Sequence, residues 1–418
     1  MTSVSVLIPN LNGIHHLDDC LSSLQQQSHP ADEVIVFDNA SSDDSARFIS
    51  QRYSSVRLIA SEKNLGFAGA LNRAAEAACG EWLAFLNNDM RASSDWIAAA
   101  MKSAREHACV ASRILSWSGD KVDFDGASLQ YLGFGDQVGI GETSSRRSPA
   151  GPILFACGGA MLVRKEVFLE SGAFDEDYFA IYEDVDFGWR LWLQGHDVFF
   201  EPESFVYHKG HATLDTRREE KKRYLMHRNA LFTIIKNYER ERFEKIVPVA
   251  FFQAVRRAVR FANIDKTSFY FWKDSEPPQD PGAFWMWKDA INHLVALDDV
   301  IENWPGLMQK RAAVQARRRR SDDEIVALFR DPFRRIFKDT AYEAQEAELL
   351  ELQGIPQLFP SQAPFALTDD FRRNLHEEIR NLRRELSYLK SARGAVPPEV
   401  KANPVRKFVK RIKKLGSR

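Results

Sequence analysis

Apolar and polar positions alternate in blocks along the N-terminal part of the chain. Short apolar runs rich in β-branched residues predict strands at 4–9, 33–39, 56–61 and 81–89. Between these runs, apolar residues recur at helical spacing and predict helices at 14–27, 41–53 and 66–78. Buried strands that alternate with helices are typical of a parallel sheet covered on both faces. The pattern therefore predicts an α/β fold.

Three of these strands end in polar side chains. Asn10 and Asn12 follow the first strand, Asp38 and Asn39 follow the second, and the Asn-Asn-Asp sequence at 87–89 follows the fourth. In a sheet of this kind, ligands bind in the crevice outside the carboxyl ends of the strands. We therefore expect the three groups to line one crevice.

The pattern changes after the fourth strand. Residues 117–150 are rich in Gly and Ser and have little periodicity, which predicts a long loop or an irregular hairpin over the crevice. Residues 151–172 return to a strand followed by a helix. A charged and then amphipathic helix is predicted at 217–238, and aromatic residues stand beside basic ones at 250–262 and 269–297.

Two patterned segments stand near the C-terminus. Apolar residues within 371–389 have the spacing of a short coiled coil, and residues 405–418 carry seven Lys or Arg and no acid. We divide the chain into an α/β domain at 1–238, a helical accessory region rich in aromatic and basic residues at 239–345, and a linker with these two segments at 346–418.

Composition narrows the functional classes only in part. The 418 residues include 57 Lys or Arg and 58 Asp or Glu, so net charge indicates no partner. Four Cys lie far apart without a CxxC pair, which argues against a zinc knot or a disulfide scaffold and suits a reducing cytoplasm. The N-terminus lacks the features of a signal peptide, and no run of roughly 18 uncharged apolar residues exists, so we expect no membrane-spanning helix.

A carboxylate at the end of the fourth strand is a candidate metal ligand. Asp89, beside two amides, can hold a divalent cation that also contacts a diphosphate, because Mg²⁺ takes few protein ligands. The alternative is a polar cap of the loop. Either His208 or His211, in the sequence YHKGHAT, could be a neutral imidazole ligand to the same metal, or an ordinary histidine.

The sequence FAIYEDVDFGWRL at 179–191 combines acids with aromatic rings. Glu183 or Asp184 could be a general base, because partial desolvation by Tyr182 and Trp189 would raise its proton affinity. The alternative is an amphipathic helix with acids at its N-terminus, where the helix dipole favours negative charge. The two interpretations are compatible.

Two further stretches allow both a functional and a structural interpretation. In DNASSDD (38–44), Asp38 could accept hydrogen bonds from a base or ribose, or the stretch could be a turn and helix cap. In NLGFAGALN (64–72), small residues allow a close approach to the backbone, or simply tight helix packing.

Taken together, six stretches in order, over roughly residues 3–238, strongly resemble family 2 glycosyltransferases. They resemble most the bacterial rhamnosyltransferase-like branch, which builds cell-surface polysaccharides. The stretches are VSVLIPNLNG, EVIVFDNASSDDS, NLGFAGALNRA, EWLAFLNNDM, the run from CGGAMLV to YHKGHAT at 157–213, and RNALFTIIKNY. The resemblance implies a GT-A fold: a Rossmann-like, mixed, mainly parallel sheet followed by a helical C-terminal region.

The resemblance also implies roles for named residues. Asp184 matches the catalytic base, Asp89 and His208 match ligands of Mg²⁺ or Mn²⁺, and Asn87 replaces the first acid of the family's Asp-x-Asp motif. The implied donor-nucleotide site comprises Pro9, Asn10, Asn12, Asp38, Asn64, Gly66, Asn72, Asn87 and Asn88. The implied contacts to the acceptor and donor sugar are Gly158, Gly159, Glu183, Trp189 and Arg190.

The expected reaction is an inverting transfer from a nucleoside diphosphate sugar to a saccharide or lipid-linked saccharide. The donor would be dTDP-rhamnose or a UDP- or GDP-sugar. Two alternatives are a sugar nucleotidyltransferase, although IPNLNGIHHL at 8–17 is not a Gly-rich phosphate loop, and a non-catalytic scaffold of a polysaccharide assembly complex.

A lipid-linked acceptor implies an enzyme at the inner face of the cell membrane. Apolar residues of the tail 405–418 can share one helical face between basic ones, so the tail either binds the membrane or is solvated. The segment 371–389 either forms a homodimer or packs on its own chain. We expect no nucleic-acid partner, because the basic runs 316–320 and 405–418 lie in no recognisable nucleic-acid-binding motif.

Overall fold

The sheet predicted from the N-terminal pattern is present in the structure, a computed structural model that describes residues 2–210, 216–262, 288–334 and 340–359. The strands are β1 Val4–Asn10, β2 Glu33–Asp38, β3 Arg57–Ala60, β4 Trp82–Leu86, β5 Met90–Ala92, β6 Cys109–Ser116, β7 Val122–Phe124, β8 Ala127–Leu129, β9 Gly135–Gln137, β10 Gly151–Pro152, β11 Ala160–Arg164 and β12 Val198–His208. The α-helices are α1 Ile14–Gln25, α2 Ser45–Arg52, α3 Gly66–Ala77, α4 Trp96–Ser103, α5 Lys165–Glu170, α6 Glu183–Leu193, α7 Thr216–Asn237, α8 Arg240–Phe261, α9 Lys288–Glu302, α10 Trp304–Ala316, α11 Asp322–Val326 and α12 Thr340–Leu352. Short 3₁₀ helices cover Glu176–Tyr178, Ala327–Phe329 and Pro356–Leu358.

The main sheet is mixed and mainly parallel, as the resemblance implies. Its strand order is β10–β12–β6–β11–β4–β1–β2–β3, with β5 paired to β12 and β7 paired to β6. The first four strands are parallel, since β1 pairs with β2 and β4, and β2 pairs with β3. β11 is antiparallel to β4 and β6, while β12 is parallel to β6. The parallel strands therefore bring the ends of β1, β2 and β4 to one edge.

The observed N-terminal elements confirm the predicted ones to within a few residues. The largest difference is α2, which begins at Ser45 rather than at residue 41. Residues before Ser45 are held outside the helix because the side chain of Asp43 accepts the backbone N–H of Ile14 as well as that of Ser45. The acidic stretch thus joins the loop before α1 to the start of α2, whose N-cap residue is Asp44.

Residues 117–150 have more regular structure than the predicted loop or irregular hairpin. β7 extends the main sheet, while β8 and β9 form a separate two-stranded sheet. Phe124, Ala127 and Leu129 are fully buried, so these short strands are fixed by packing rather than by a long periodic pattern.

A helical region follows the sheet, as expected. Helix α7 packs against α6, α9 and α10, and α8 packs against α9. The ring of Trp189 in α6 meets Tyr238 edge-on, with the ring centroids 4.9 Å apart. Across the parts of the chain that the structure describes, no helix combines the length and apolar character needed to span a bilayer.

The chain divides into two compact units, residues 1–332 and 333–418. The first contains the sheet and helices α1–α11. In the second, α12 is described, and the rings of Phe333 and Phe359 lie 5.4 Å apart. The proposed boundaries after residues 238 and 345 stay a prediction.

Candidate active site

Polar side chains at the ends of β1, β2 and β4 bond directly to one another. Asn10, almost fully buried, donates from Nδ2 to Asp38 Oδ1 over 2.9 Å and accepts from Asn88 Nδ2 over 2.8 Å. Gly13 lies against this pair, since a Cβ at that position would be 2.1 Å from Asn88 Nδ2. The three strand ends therefore form one polar crevice, and Pro9 is half-buried beside it.

The loops around this crevice are held by their own side chains. Asn12 has a φ of 53°, and its Oδ1 accepts the backbone N–H of Ser42 over 2.7 Å. Asn39 donates to Asn64 Oδ1 and to the carbonyl of Gly66, over 2.9 and 3.0 Å. These bonds join the end of β2 to the start of α3. Asn12 and Asn64 thus shape the crevice wall, whatever further contact they make to a nucleotide.

Gly66 permits a close contact between α3 and the loop before α6. It has a φ of +75°, and an added Cβ would lie 2.4 Å from the carbonyl oxygen of Phe179. The backbone N–H of Ala68 donates to that same oxygen over 3.2 Å. A side chain at residue 66 would therefore separate the two segments.

Two adjacent glycines connect the base candidate to the end of β4. The backbone N–H of Gly158 donates to Asp184 Oδ2 over 2.8 Å. The carbonyl of Gly159 accepts from the backbone N–H of Asn87 over 3.0 Å, and a Cβ on Gly159 would lie 2.5 Å from Asn87 Nδ2. Asp184 is thus joined through a two-residue turn to the strand end that carries Asp89.

Asp89 and His208, 119 residues apart in sequence, are in contact. His208 Nε2 lies 3.2 Å from Asp89 Oδ2, and its Nδ1 lies 2.6 Å from Asp123 Oδ2. Burial lowers the pKa of His208, but its hydrogen bonds to Asp123 and Asp89 outweigh burial and raise the pKa to about 9. Desolvation raises the pKa of Asp89, but the His208 interaction outweighs it, so this pKa lies below its ordinary value. The imidazolium therefore balances the two carboxylates.

The unpaired oxygens at this strand end fit a divalent cation. Asp89 Oδ1 and Asn87 Oδ1 are buried and have no hydrogen-bond partner among the described residues. Oxygen ligands of this kind suit Mg²⁺. Within the described ranges, no three His, Cys, Asp or Glu side chains are arranged to hold a metal ion. Mg²⁺ commonly takes further ligands from substrate phosphates and water.

Asp184 lies in the first turn of α6 and is only half-buried. Burial raises its pKa, although hydrogen bonds from the backbone N–H groups of Gly158 and Val185 partly offset this effect. Glu183 is buried behind it, and desolvation followed by the charge of Asp184 raises the pKa of Glu183. Of the two acids, Asp184 is therefore the one that reaches the surface and whose carboxylate accepts backbone N–H groups of both Gly158 and Val185.

The loop that leads to Asp184 has an unusual backbone. Phe179, Ile181 and Tyr182 have φ values of 61°, 71° and 68°. Left-handed conformations cost non-glycine residues on the order of 1–3 kcal/mol each and persist only where the surroundings fix them. In this loop, the three left-handed residues place the first turn of α6 beside Gly158 and Gly159.

A fully buried asparagine fixes this loop. Asn229, on α7, donates from Nδ2 to the carbonyls of Tyr178, Ala180 and Ile181, over 3.1, 2.9 and 2.6 Å. The sequence analysis quoted RNALFTIIKNY but gave Asn229 no role. Its polar side chain within an apolar helical stretch was the available signal, since buried amides need hydrogen-bond partners.

Replacing this asparagine should misplace Asp184. We expect Asn229→Ala to lower the turnover rate of sugar transfer by roughly 10²-fold, because displacing a reacting group by about 1 Å costs this much. Donor affinity should change little, because Asn229 bonds to the loop and not to the strand-end crevice. Turnover and donor binding should be measured with the melting temperature. The matched control is Asn303→Ala, since exposed Asn303 lies between α9 and α10 and bonds only one described carbonyl, that of Asp299 in α9. A lower melting temperature with unchanged turnover would contradict the positioning role.

Three predicted site residues are buried in contacts with other parts of the protein, and their expected contact with the ligand stays a prediction. Trp189 is fully buried against Tyr238, and Arg190 is buried by its bonds to Asp186 and to the carbonyls of Ser171 and Ala173. Both lie two turns into α6, where helical periodicity turns them to the core. Asn72 is also buried, and it bonds to the backbone of Phe174 and to Glu176.

The sequence analysis did not predict a role for Asp123, because a single acidic residue in a segment that was interpreted as a loop does not indicate a metal site. It belongs to β7 and reaches His208 only because β7 and β12 both pair with β6. His211, the coiled-coil segment 371–389 and the basic tail 405–418 lie outside the described residues.

Two protein families match parts of the chain. Residues 5–172 match the family described as Glycosyl transferase family 2, and residues 97–272 match Glycosyl transferase family group 2. A Mycobacterium tuberculosis relative, named N-acetylglucosaminyl-diphospho-decaprenol L-rhamnosyltransferase, is 28% identical over 225 residues, which is 47% of this chain and 73% of that protein. An Escherichia coli relative, named UDP-Glc:alpha-D-GlcNAc-diphosphoundecaprenol beta-1,3-glucosyltransferase, is 35% identical over 88 residues, or 21% of this chain and 34% of that protein.

A solved structure, TarS 1–349 from S. aureus with UDP, aligns over 79% of this chain and 91% of that one, with 18% identity and a TM-score of 0.44. The family assignment depends instead on the two family matches and on the relatives of similar sequence. The chain belongs to the family 2 glycosyltransferases, and it is rhamnosyltransferase-like.

Proposed function

We propose that this glycosyltransferase is an inverting enzyme that uses Asp184 as its general base. The observation that carries the proposal is the connection of Asp184, through Gly158 and Gly159, to the strand end that holds Asp89 and His208. A base and a diphosphate site must lie within one sugar of each other for a single displacement. The two glycines of the turn that joins them contribute no side chains of their own.

The proposed reaction is a direct displacement. The acceptor hydroxyl gives its proton to Asp184 while its oxygen attacks the anomeric carbon of the donor sugar, and the bond to the nucleoside diphosphate breaks. The configuration at that carbon inverts in one step, through an oxocarbenium-like transition state as in glycoside hydrolysis. The raised pKa of Asp184 supports this role, because a stronger base accepts the proton more readily.

We propose Asp89 and His208 as ligands of Mg²⁺ or Mn²⁺. Asn87 Oδ1, buried without a partner among the described residues, supports an oxygen-rich site. The cation would neutralise the charge that develops on the diphosphate leaving group. His208 would first give up the proton that balances Asp89 and Asp123, so that its nitrogen can bind the metal.

The crevice residues suggest how the donor nucleotide is held. Asp38 and Asn10 form the floor at the ends of β1 and β2, and Asp38 can accept from a ribose or base. Pro9, Asn12, Asn64 and Gly66 would line the wall. The leading donor is dTDP-rhamnose, because the M. tuberculosis relative is named a rhamnosyltransferase, with UDP- and GDP-sugars as alternatives.

We propose a lipid-linked saccharide as the acceptor, in the synthesis of a cell-surface polysaccharide. Two relatives are named for substrates linked to diphospho-decaprenol and diphosphoundecaprenol. Such an acceptor would bring the enzyme to the inner face of the cell membrane. A sugar nucleotidyltransferase is disfavoured by the family assignment, and a non-catalytic scaffold by the joined positions of Asp89, His208 and Asp184.

A donor panel tests the function directly. We expect release of nucleoside diphosphate from one class of sugar nucleotide in the presence of acceptor, and loss of at least about 90% of this release with excess EDTA, because the cation stabilises the leaving group. Added Mg²⁺ or Mn²⁺ should restore it. The product anomer, read by NMR, reports inversion. Full activity in EDTA would reject the metal, and retained configuration would reject the direct displacement.

A further inference from the structure

The imidazole of His208 lies between two carboxylates. Asp123 Oδ2 is 2.6 Å from His208 Nδ1, and Asp89 Oδ2 is 3.2 Å from His208 Nε2. Each ring nitrogen therefore has one carboxylate beside it. Turning the ring over by 180° would put a carbon atom in the place of each nitrogen, and carbon makes neither hydrogen bond. The two contacts together thus select one orientation of the ring.

A β-bulge in β7 brings Asp123 to this place. Val122 and Phe124 pair with consecutive residues of β6, so Asp123 between them is the extra residue of the bulge. Bulges change the direction of a side chain and are over-represented next to active sites. His208 belongs to β12, which pairs along the whole of β6. The side chain of Asp123 therefore reaches His208 across β6.

Buried neighbours fix the position of Asp123. The next residue, Phe124, is fully buried, and its ring meets that of Phe200 in β12 with the centroids 6.3 Å apart. Asp125 is also fully buried, and its Oδ1 lies 2.9 Å from Nε of Arg113 in β6. A group that orients a ligand must itself be held by packing and by further polar contacts. The carboxylate of Asp123 is held in this way, because it extends from a segment that is anchored in the core.

We propose that Asp123 is the positioning residue of the metal site. It accepts the Nδ1–H of His208 and so presents the Nε2 of that ring to a cation at Asp89. A histidine that binds a metal through one ring nitrogen almost always donates its other N–H to a carboxylate, a carbonyl or water, which fixes the tautomer and makes the ring a stronger ligand. The inference rests on the proposed function, which assigns Asp89 and His208 to the metal. Asp123 acts on the cation only through the imidazole.

A second histidine–carboxylate pair lies at the opposite end of the same two strands. His107, just before β6, contacts through Nδ1 the Oδ2 of Asp197, just before β12. The side chains of His107 and Asp197 are 21% and 31% exposed, and those of His208 and Asp123 are 19% and 31% exposed. The two pairs match in chemistry and in burial, but the pair of His107 lies away from Asp89. Asp197→Ala is therefore a matched control for Asp123→Ala.

Binding of Mn²⁺ to the full-length chain tests the proposal. Electron paramagnetic resonance measures free Mn²⁺, and electron spin-echo envelope modulation detects a nitrogen atom bound to the ion. We expect Asp123→Ala to weaken Mn²⁺ binding about 10–100-fold, the usual effect of removing the partner of a metal-binding histidine. It should also diminish the nitrogen modulation, which His208→Ala should abolish. Asp123→Asn should have a smaller effect, because its amide oxygen can still accept the Nδ1–H.

The control separates positioning from a general structural role. Asp197→Ala should bind Mn²⁺ like the unchanged protein, and the melting temperature of each variant shows how far it is destabilised. Equal Mn²⁺ affinity and equal nitrogen modulation in Asp123→Ala and the unchanged protein would overturn the inference. Equal losses of affinity in Asp123→Ala and Asp197→Ala would also overturn it, because they would follow from destabilisation alone.

Nucleotide release measured on the same samples distinguishes this inference from the proposed function. For Asp123→Ala, the Mn²⁺ concentration that gives half-maximal release should rise about 10–100-fold, while the rate at saturating Mn²⁺ approaches that of the unchanged enzyme. Release by the unchanged protein that EDTA does not affect contradicts the proposed metal site. Release that depends on Mn²⁺, with the same half-maximal concentration in Asp123→Ala, contradicts only the role of Asp123.

Discussion

Asp184→Asn should lower the rate of sugar transfer by about 10²–10⁴-fold, the usual contribution of a general base. The amide has the same shape but cannot accept the proton of the acceptor hydroxyl. Donor affinity should stay close to that of the unchanged enzyme, because the proposed donor contacts lie at the ends of β1, β2 and β4. The effect should therefore fall on turnover, which single-turnover kinetics and donor titration would separate.

The pH dependence provides a second measurement for the same variant. Because burial raises the pKa of Asp184, the unchanged enzyme should lose activity as the pH falls through a value above the ordinary range of an aspartate. The residual activity of Asp184→Asn should not show this decrease at low pH. The same decrease in the variant would indicate that another group is the base.

Asp95→Asn is the matched control. Asp95 also stands at the start of a helix, α4, but it is exposed and bonds to Ser28. It should transfer sugar at the normal rate. The two carboxylate oxygens of Asp184 each accept a hydrogen bond from a backbone N–H group, whereas an Asn side chain has only one oxygen. The melting temperature of each variant must therefore be recorded. Normal turnover in Asp184→Asn would reject the base assignment.

Lys236→Met should reduce the free energy of unfolding by about 3–5 kcal/mol, because it removes the buried cation that Asp175 and Asp186 share and leaves each carboxylate with one charged partner, Lys310 and Arg190 respectively. Lys236 is nearly inaccessible, and its Nζ lies 2.6 Å from Asp175 Oδ2 and 2.9 Å from Asp186 Oδ1. The side chain of Asp186 is fully buried and keeps Arg190 as its other charged partner. The cluster joins α6, α7 and the segment before Tyr178, so its loss should weaken the support of the catalytic loop.

Denaturant unfolding measures the effect, and Lys245→Met is its control. Lys245 forms an exposed pair with Glu241 on α8, 2.9 Å apart, and exposed pairs contribute about 0–1 kcal/mol. The large loss should therefore be specific to the buried lysine. If Lys236→Met has the same free energy of unfolding as the unchanged protein, other groups must neutralise the charges of Asp175 and Asp186 in the variant.

At acidic pH, the free energy of unfolding of Lys236→Met should differ less from that of the unchanged protein. Desolvation raises the pKa values of Asp175 and Asp186, but their cationic partners outweigh it and hold both below the ordinary aspartate value. The two carboxylates therefore contribute to stability at pH values above the pKa of an ordinary aspartate. This contribution is lost as the pH falls towards their pKa in the folded state. In the variant these carboxyls protonate more easily, so acid removes a smaller part of its stability.

The order of the strands and helices up to β4 followed from the sequence, because periodicity depends on local burial. The parallel arrangement of β1, β2 and β4 then required that Asn10, Asp38 and Asn88 share one edge, and the structure has them in hydrogen-bond contact. The residues alone left His208 and His211 as alternative partners of the metal at Asp89, 119 positions away from His208, and the resemblance selected His208.

Tertiary packing alone decided the rest. The side chains of Trp189 and Arg190 are buried because α7 packs against that side of α6. The local pattern of acidic and aromatic residues does not predict this packing. Asp123 joins His208 through strand pairing across β6, and Asn229 fixes the left-handed loop from another helix. The sequence by itself therefore determined the fold class and the strand-end crevice, where the signal is local or repeats along one element. Contacts between distant elements depend on how those elements pack, and they decided which side chains reach the crevice and which support it.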